Sequence, residues 1–142
     1  MSDLVGQGGF VLVGADMDKD PDVLYQAYND SSGVAADFNR NILVRINNEF
    51  GGQFDVGAFD HSAVYDPDAS RIIMRLVSRT SQVAWVRDQS FRFDEGETII
   101  TEYSHKYSLA SFRSIAREAG LAPVKAWTDP ANLFSIHLLQ GR

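Results

Sequence analysis

Apolar positions recur along the chain with two periods, and the switches between them predict its elements. Gly9-Phe10-Val11-Leu12-Val13-Gly14 is a continuous apolar run of strand length, which predicts a short strand buried on both faces. Asp20-Pro21-Asp22 then opens a helix. Asp20 caps it, Pro21 takes its first position, and Asp22 complements the positive end of its dipole. The helix runs to about Asn29 and sets Val23, Leu24, Ala27 and Tyr28 on one face, which turns Tyr28 inward. After the break Ser31-Ser32-Gly33, apolar residues return at every fourth position: Val34, Phe38, Ile42, Ile46 and Phe50, with Leu43 broadening the stripe. Asn39, Arg40, Asn47 and Asn48 fall mostly on the other side. The spacing predicts a second helix, buried along that stripe and ended by Gly51-Gly52.

From Phe54 the period is two. Residues 62–65, 71–77, 82–86, 91–93 and 98–101 predict strands of an antiparallel meander, joined by turns such as Asp66-Pro67-Asp68 and Asp94-Glu95-Gly96-Glu97. Ile72, Met74 and Leu76 share one strand face. Further on, Ile100, Glu102 and Ser104 share one face, and Ile99, Thr101 and Tyr103 the other. Ser108 caps a third helix, buried through Leu109, Phe112, Ile115, Ala116 and Ala119 and stopped by Gly120. Two strands, at about 124–127 and 134–139, close the chain. The expected fold is α+β: a small mixed sheet made from the two chain ends, with a helix pair and an antiparallel β-meander inserted between.

Composition narrows the function classes. The 142 residues suit one domain with a real core. Thirteen basic against nineteen acidic residues give a net charge of −6 and no basic stripe, which argues against nucleic-acid and acidic-membrane partners. The chain has no cysteine, so disulfides, thiolate nucleophiles and thiolate metal sites are excluded. Neither a signal-peptide pattern nor an apolar run of bilayer length is present, and the expected setting is cytoplasmic.

Two motif-like runs carry no chemistry on this reading. Gly6-Gln7-Gly8-Gly9 precedes its strand, whereas a phosphate loop follows one, so it reads as a turn. Asp16-Met17-Asp18-Lys19-Asp20-Pro21-Asp22 has the alternating acids of a calcium loop, but Pro21 stands where that loop needs glycine and Ala27 where it needs glutamate. The histidines His61, His105 and His137 have no zinc-pair spacing. His137 reads as structural and His61 as a surface or capping residue, while His105 adjoins the most suggestive run, Thr101-Glu102-Tyr103-Ser104-His105-Lys106-Tyr107. There Glu102 and Ser104 point the same way from the end of an apolar strand. On spacing alone this is either an ordinary strand end in water or a pocket wall. A partly buried Glu102 needs a partner, which is an imidazole or amine ligand, or else Lys106 or Arg71.

A resemblance adds to these readings. Tyr25-Gln26-Ala27-Tyr28-Asn29-Asp30 and Gly33-Val34-Ala35-Ala36-Asp37-Phe38-Asn39-Arg40-Asn41 resemble a signature of the histidine-specific methyltransferases, which use S-adenosylmethionine to trimethylate the α-amino group of histidine in ergothioneine biosynthesis. The resemblance continues through Phe54-Asp55-Val56, Phe59-Asp60-His61, Arg71-Ile72-Ile73-Met74, the run around Glu102, and Trp127-Thr128-Asp129. It implies that Tyr28 contacts a substrate carboxylate, that Glu102 and Ser104 recognise an imidazole ring, and that Met74 packs against that ring. It implies that residues of about 21–107 correspond to the family's inserted substrate-recognition domain. Residues of about 9–20 and 108–142 then correspond to the late strands of a methyltransferase-type Rossmann sheet.

The family's donor-binding portion, with its Gly-rich loop, acidic residue and amine-gripping asparagine, has no counterpart in these residues. The resemblance therefore implies a truncated or split histidine Nα-methyltransferase segment that binds no cofactor alone and does not methylate alone, since placing donor against acceptor is most of the work. The alternatives are a non-catalytic module binding histidine or a related small amine, and an oligomeric structural protein. A sheet lacking its early strands exposes an edge at residues 9–14 and an apolar face, so a homo-oligomer, foremost a dimer, or a complementary methyltransferase half is expected to cover it.

Overall fold

Turn chemistry sets the element boundaries in the computed structural model, which describes residues 2–142. Its contacts gather the chain into two compact units, Pro21–Ser104 and the two ends, Met1–Asp20 with His105–Arg142. Among the described residues the elements are α+β, with four α-helices and several small sheets.

In the unit formed by the ends, β1 (Phe10–Asp16), β7 (Leu121–Thr128) and β8 (Phe134–Gly141) form one sheet in the order β1-β8-β7. Both ladders are antiparallel, and the parallel component of the expected mixed sheet is a single bridge between Met17 and Tyr107. The short α1 (Ser2–Val5) precedes the sheet. Gly6-Gln7-Gly8-Gly9 is a turn, as expected, and its glycines let backbone meet backbone. Gly8 N–H donates to Gly141 O at 2.9 Å, and a Cβ on Gly9 would lie 2.0 Å from the Val5 carbonyl. The α4 helix (Leu109–Glu118) starts at a capping box in which the Ser108 and Ser111 side chains each bond the other's backbone N–H. Gly120, at φ 76°, follows it. Ala116, Leu121 and Leu139 form the core here, with Val5, Val11, Val13 and Phe112 packed around them.

One expectation fails in this sheet. The first strand is buried on one face only: Val11 and Val13 pack inward, while Phe10 is 56% and Leu12 63% exposed. Further along the same face, Phe134, Ile136 and Trp127 are exposed as well. The reason is that β1 is the sheet's edge, and α4 packs near β7 on a single side. The predicted free edge and apolar face are therefore both present in this unit. Beneath the sheet's end, the buried Lys106 ammonium pairs with Asp16 at 2.9 Å, and Lys19 bonds the same carboxylate.

In the other unit, α2 (Pro21–Tyr28) and α3 (Val34–Phe50) lie beside a sheet of β2 (Phe59–Asp66), β3 (Arg71–Ser78) and β6 (Thr98–His105), in the order β2-β3-β6. A 3₁₀ turn at Val56–Ala58 leads into β2. The meander is not continuous. The β4 (Gln82–Val86) and β5 (Gln89–Phe93) strands form a separate hairpin, and the chain returns to lay β6 beside β3. Ser78 makes the branch: its N–H donates to Glu97 O, its carbonyl accepts from Gly96 N–H, both at 2.8 Å, and its hydroxyl takes Gln82 from the departing hairpin.

Burial on β3 follows the expected face, Ile72, Met74 and Leu76. Burial on α3 follows the expected stripe at Leu43 and partly at Ile46, and departs from it elsewhere. Val34, Phe38, Ile42 and Phe50 are exposed, Phe38 by 68%, and the buried pair is Asn39 with Leu43. Leu43 joins Phe59 and Leu76 in a core, edged by a tilted and T-shaped cluster of Phe54, Phe59 and Phe93. The helix is rotated so that Asn39 is buried beside Leu43, because Asn39 finds partners there for both its amide nitrogen and its oxygen, which removes the penalty of burying it.

Candidate functional site

Within the unit Pro21–Ser104, the end of α2, the start of α3 and the strands β3 and β6 surround a cleft of about 420 Å³. Tyr28, Met74 and Glu102 line it, with Asp30, Val34 and Phe38. These three come from widely separated segments, each held by a different local device.

Tyr28 is the last residue of α2, and the next residue pins that helix end. The Asn29 side chain donates to Ala63 O at 3.0 Å and accepts from Ala63 N–H at 3.2 Å, imitating a strand partner on β2. The Tyr28 ring packs on the cluster of Leu24, Ala63, Ile72 and Met74. Its hydroxyl and the Ser104 hydroxyl are hydrogen-bonded at 2.8 Å. Met74 is almost fully buried in the middle of β3, so only its edge is offered to the cleft.

Glu102 is exposed on β6, and among the described residues no side chain bonds its carboxylate. Both structural partners considered for it are engaged elsewhere. Lys106 pairs with Asp16, while Arg71 pairs with Asp66 at 3.0 Å and lies over the Tyr103 ring at 4.1 Å.

Asp30 supplies the cleft's second carboxylate. It accepts from the N–H groups of Val34 at 2.9 Å and Ala35 at 2.8 Å, so it caps α3 from outside the helix, where Gly33 has no side chain to do so. The Ser32 hydroxyl and these two N–H groups pull its pKa down to about 2. Two carboxylates, one phenol and an apolar wall, with no cation in the lining, suit a ligand that carries an amine or an imidazole.

A second recess of about 220 Å³ lies along α3 and β6 and shares Phe38 and Glu102 with the cleft. Asn39, Asn41, Arg45 and Thr101 complete its lining. Its two asparagines differ in setting: Asn39 is 3% exposed and bonded at both amide atoms, whereas Asn41 is exposed at the recess wall.

The histidines fall in three different settings. Of the two settings read for His61, surface or capping, it takes the second: it is half-buried, with Nε2 2.7 Å from the carbonyl oxygen of Tyr28, the last residue of α2, and Nδ1 2.9 Å from Asn39 Nδ2. No spacing signal marks this contact, because its partners lie on two other elements. His137 is structural, as expected. It is buried, stacked on Phe112 at 4.0 Å and bonded to Ser135, and burial followed by the Arg113 charge pushes its pKa down. His105 is exposed, with its ring 6.4 Å from that of Tyr107. Among the described residues no cluster of three or more metal-ligating side chains occurs, and no helix is long and apolar enough to cross a membrane.

Comparison with known proteins gives a consistent result. A family described as "Histidine-specific methyltransferase, SAM-dependent" matches residues 1–141. The chain is 39% identical over 140 residues to histidine N-alpha-methyltransferase of Mycolicibacterium smegmatis, covering 97% of this chain and 44% of that protein. It is 39% identical over 133 residues to histidine N-alpha-methyltransferase of Mycobacterium tuberculosis, covering 92% of this chain and 41% of that one. It is also similar, at 28% identity over 152 residues, to ergothioneine biosynthesis protein 1 of Neurospora crassa, of which it spans 16%. The chain therefore spans less than half the length of the relatives it matches.

Proposed function

Because the chain belongs to the family of histidine-specific, S-adenosylmethionine-dependent methyltransferases, we propose that it is the amino-acid-recognition part of a histidine Nα-methyltransferase. The observation that carries this reading is the convergence of Tyr28, Met74 and Glu102 on one cleft, with Ser104 bonded to Tyr28. In this reading Glu102 accepts a hydrogen bond from the imidazole, Ser104 holds the ring's other polar edge, and Met74 packs on its face. The Tyr28 hydroxyl, already fixed by Ser104, donates to the substrate carboxylate. These groups bind and orient, and they leave the α-amine free to face a methyl donor.

The donor itself does not fit the residues present. The Gly-rich run has committed its amides, with Gly8 N–H on Gly141 O and Gly9 N–H on Gly6 O. We therefore derive no transfer step through this chain alone, and assign the donor site to a complementary methyltransferase part. The open face of β1, with Phe10 and Leu12 exposed, supports association of this chain with that part or with a second copy of itself.

A second reading is a binding module without chemistry, with histidine or a related small amine as ligand. It is supported by the cleft's being built wholly from residues 21–104. Calorimetric titration with L-histidine, with and without S-adenosylmethionine, tests both. Saturable histidine binding, unaffected by S-adenosylmethionine, is expected. No binding under either condition would overturn recognition by this chain.

A further inference from the structure

The cleft residues are joined behind the cleft by a chain of hydrogen bonds to which none of them contributes a side chain. The Tyr28 carbonyl oxygen accepts only, so the His61 nitrogen 2.7 Å from it must carry a proton. That leaves Nδ1 with its lone pair, which accepts from Asn39 Nδ2 at 2.9 Å. The same Asn39 nitrogen donates its other proton to Arg75 O at 2.9 Å. The Asn39 oxygen accepts from the Thr101 hydroxyl at 2.6 Å, and that hydroxyl also lies 3.1 Å from Met74 O. The hydrogen bonds run from the Tyr28 backbone to Thr101, whose hydroxyl gives its one proton to Asn39 and lies against Met74 O, and Thr101 is the residue before Glu102. Every donor and acceptor of the Asn39 amide is taken, so its orientation is set by its partners: reversing it would place oxygen against oxygen at Arg75.

We infer that His61 and Asn39 are positioning residues of the proposed histidine cleft, with His61 neutral and its proton on Nε2. The inference rests on the recognition reading for the cleft's ligand. The geometry it claims for Tyr28 does not depend on that reading. His61 sets where the end of α2 stands, and Asn39 with Thr101 sets β6 and β3 relative to it. The recognition groups are thereby held apart at one spacing before any ligand arrives, which lowers the ordering cost of binding.

The test uses the full chain labelled with ¹⁵N. Long-range proton–nitrogen spectra report the tautomer of each histidine, and His61→Gln assigns the signal. The expected result is a neutral His61 protonated at Nε2. In Asn39→Asp the new carboxylate has no proton for Nδ1, so His61 is expected to take a proton at Nδ1, and histidine affinity to fall about tenfold. Should that variant not fold, Thr101→Val replaces it: the His61 signal is expected to stay, and affinity to fall about threefold.

A wild-type His61 protonated at Nδ1 alone overturns the inference, even in a chain that binds histidine. An Asn39→Asp chain with unchanged His61 signals and unchanged affinity also overturns it. An Nε2-protonated His61 in a chain that binds no histidine overturns the recognition reading and leaves the positioning of Tyr28 standing.

Discussion

The Tyr28 and Ser104 hydroxyls stand 2.8 Å apart although 76 positions separate them. One belongs to the end of α2 and the other to the end of β6, so this bond ties the two elements that carry Tyr28 and Glu102 into the cleft. Ser104→Ala leaves the phenol without that partner, and a loss of about 1 kcal/mol in urea unfolding is expected. Tyr28→Phe removes the other half. If the two act through one bond, the double variant loses little more than either single one. Fully additive losses would show that the hydroxyls are not coupled.

The rotated packing of α3 makes a contrasting prediction. Leu43 is buried against Phe59 and Leu76, and Leu43→Ala is expected to cost about 2–5 kcal/mol in denaturant unfolding. Phe38, larger but 68% exposed, is expected to change stability by no more than about 0.5 kcal/mol when replaced by Ala. Equal effects would place Phe38 inward after all.

Acid should loosen the start of α3. The Asp30 carboxylate has its pKa lowered from 3.8 to about 2 in the folded chain, chiefly by the Ser32 hydroxyl and the Ala35 and Val34 N–H groups. A depressed folded pKa contributes stability that is present above the unfolded value and lost as pH falls through the folded one. The contribution is therefore complete above about pH 4 and lost between there and about pH 2. Amide exchange at Val34 and Ala35 should quicken over that window, and Asp30→Asn should remove the pH dependence. Exchange rates that are flat over the window, after correction for intrinsic chemistry, would count against the cap.

The open face of the end-formed sheet predicts association. Light scattering at micromolar concentration is expected to give a mass above that of the single chain. Leu12→Lys, at a position 63% exposed, should shift the chain toward monomer without lowering its unfolding midpoint. A monodisperse wild-type monomer would refute self-association and leave a complementary part as the remaining cover.

Charge at Glu102 should matter to binding and not to folding. The carboxylate is exposed and bonded to no side chain among the described residues, so Glu102→Gln is expected to leave urea stability within about 0.5 kcal/mol. Histidine affinity in the calorimetric titration should drop by about tenfold or more, the worth of one charge-assisted hydrogen bond. An unchanged affinity would remove Glu102 from the recognition set.

Local chemistry in the sequence determined most element boundaries. Ser108 and Gly120 bracket α4, Pro21 opens α2, and Gly51 ends α3 in the left-handed conformation, because caps and breakers act within a turn of their own position. The alternation on β3 was equally legible, since strand side chains must alternate and one face was wholly apolar. Tertiary structure decided which side of α3 is buried, that β4 and β5 leave the meander, and that His61 belongs beside the cleft. Each of these depends on a polar group meeting a partner far along the chain: Asn39 with Thr101, Ser78 with Glu97, and His61 with Tyr28. A buried amide is costly only when unpaired, and whether it is paired is a property of the folded neighbourhood that periodicity does not register.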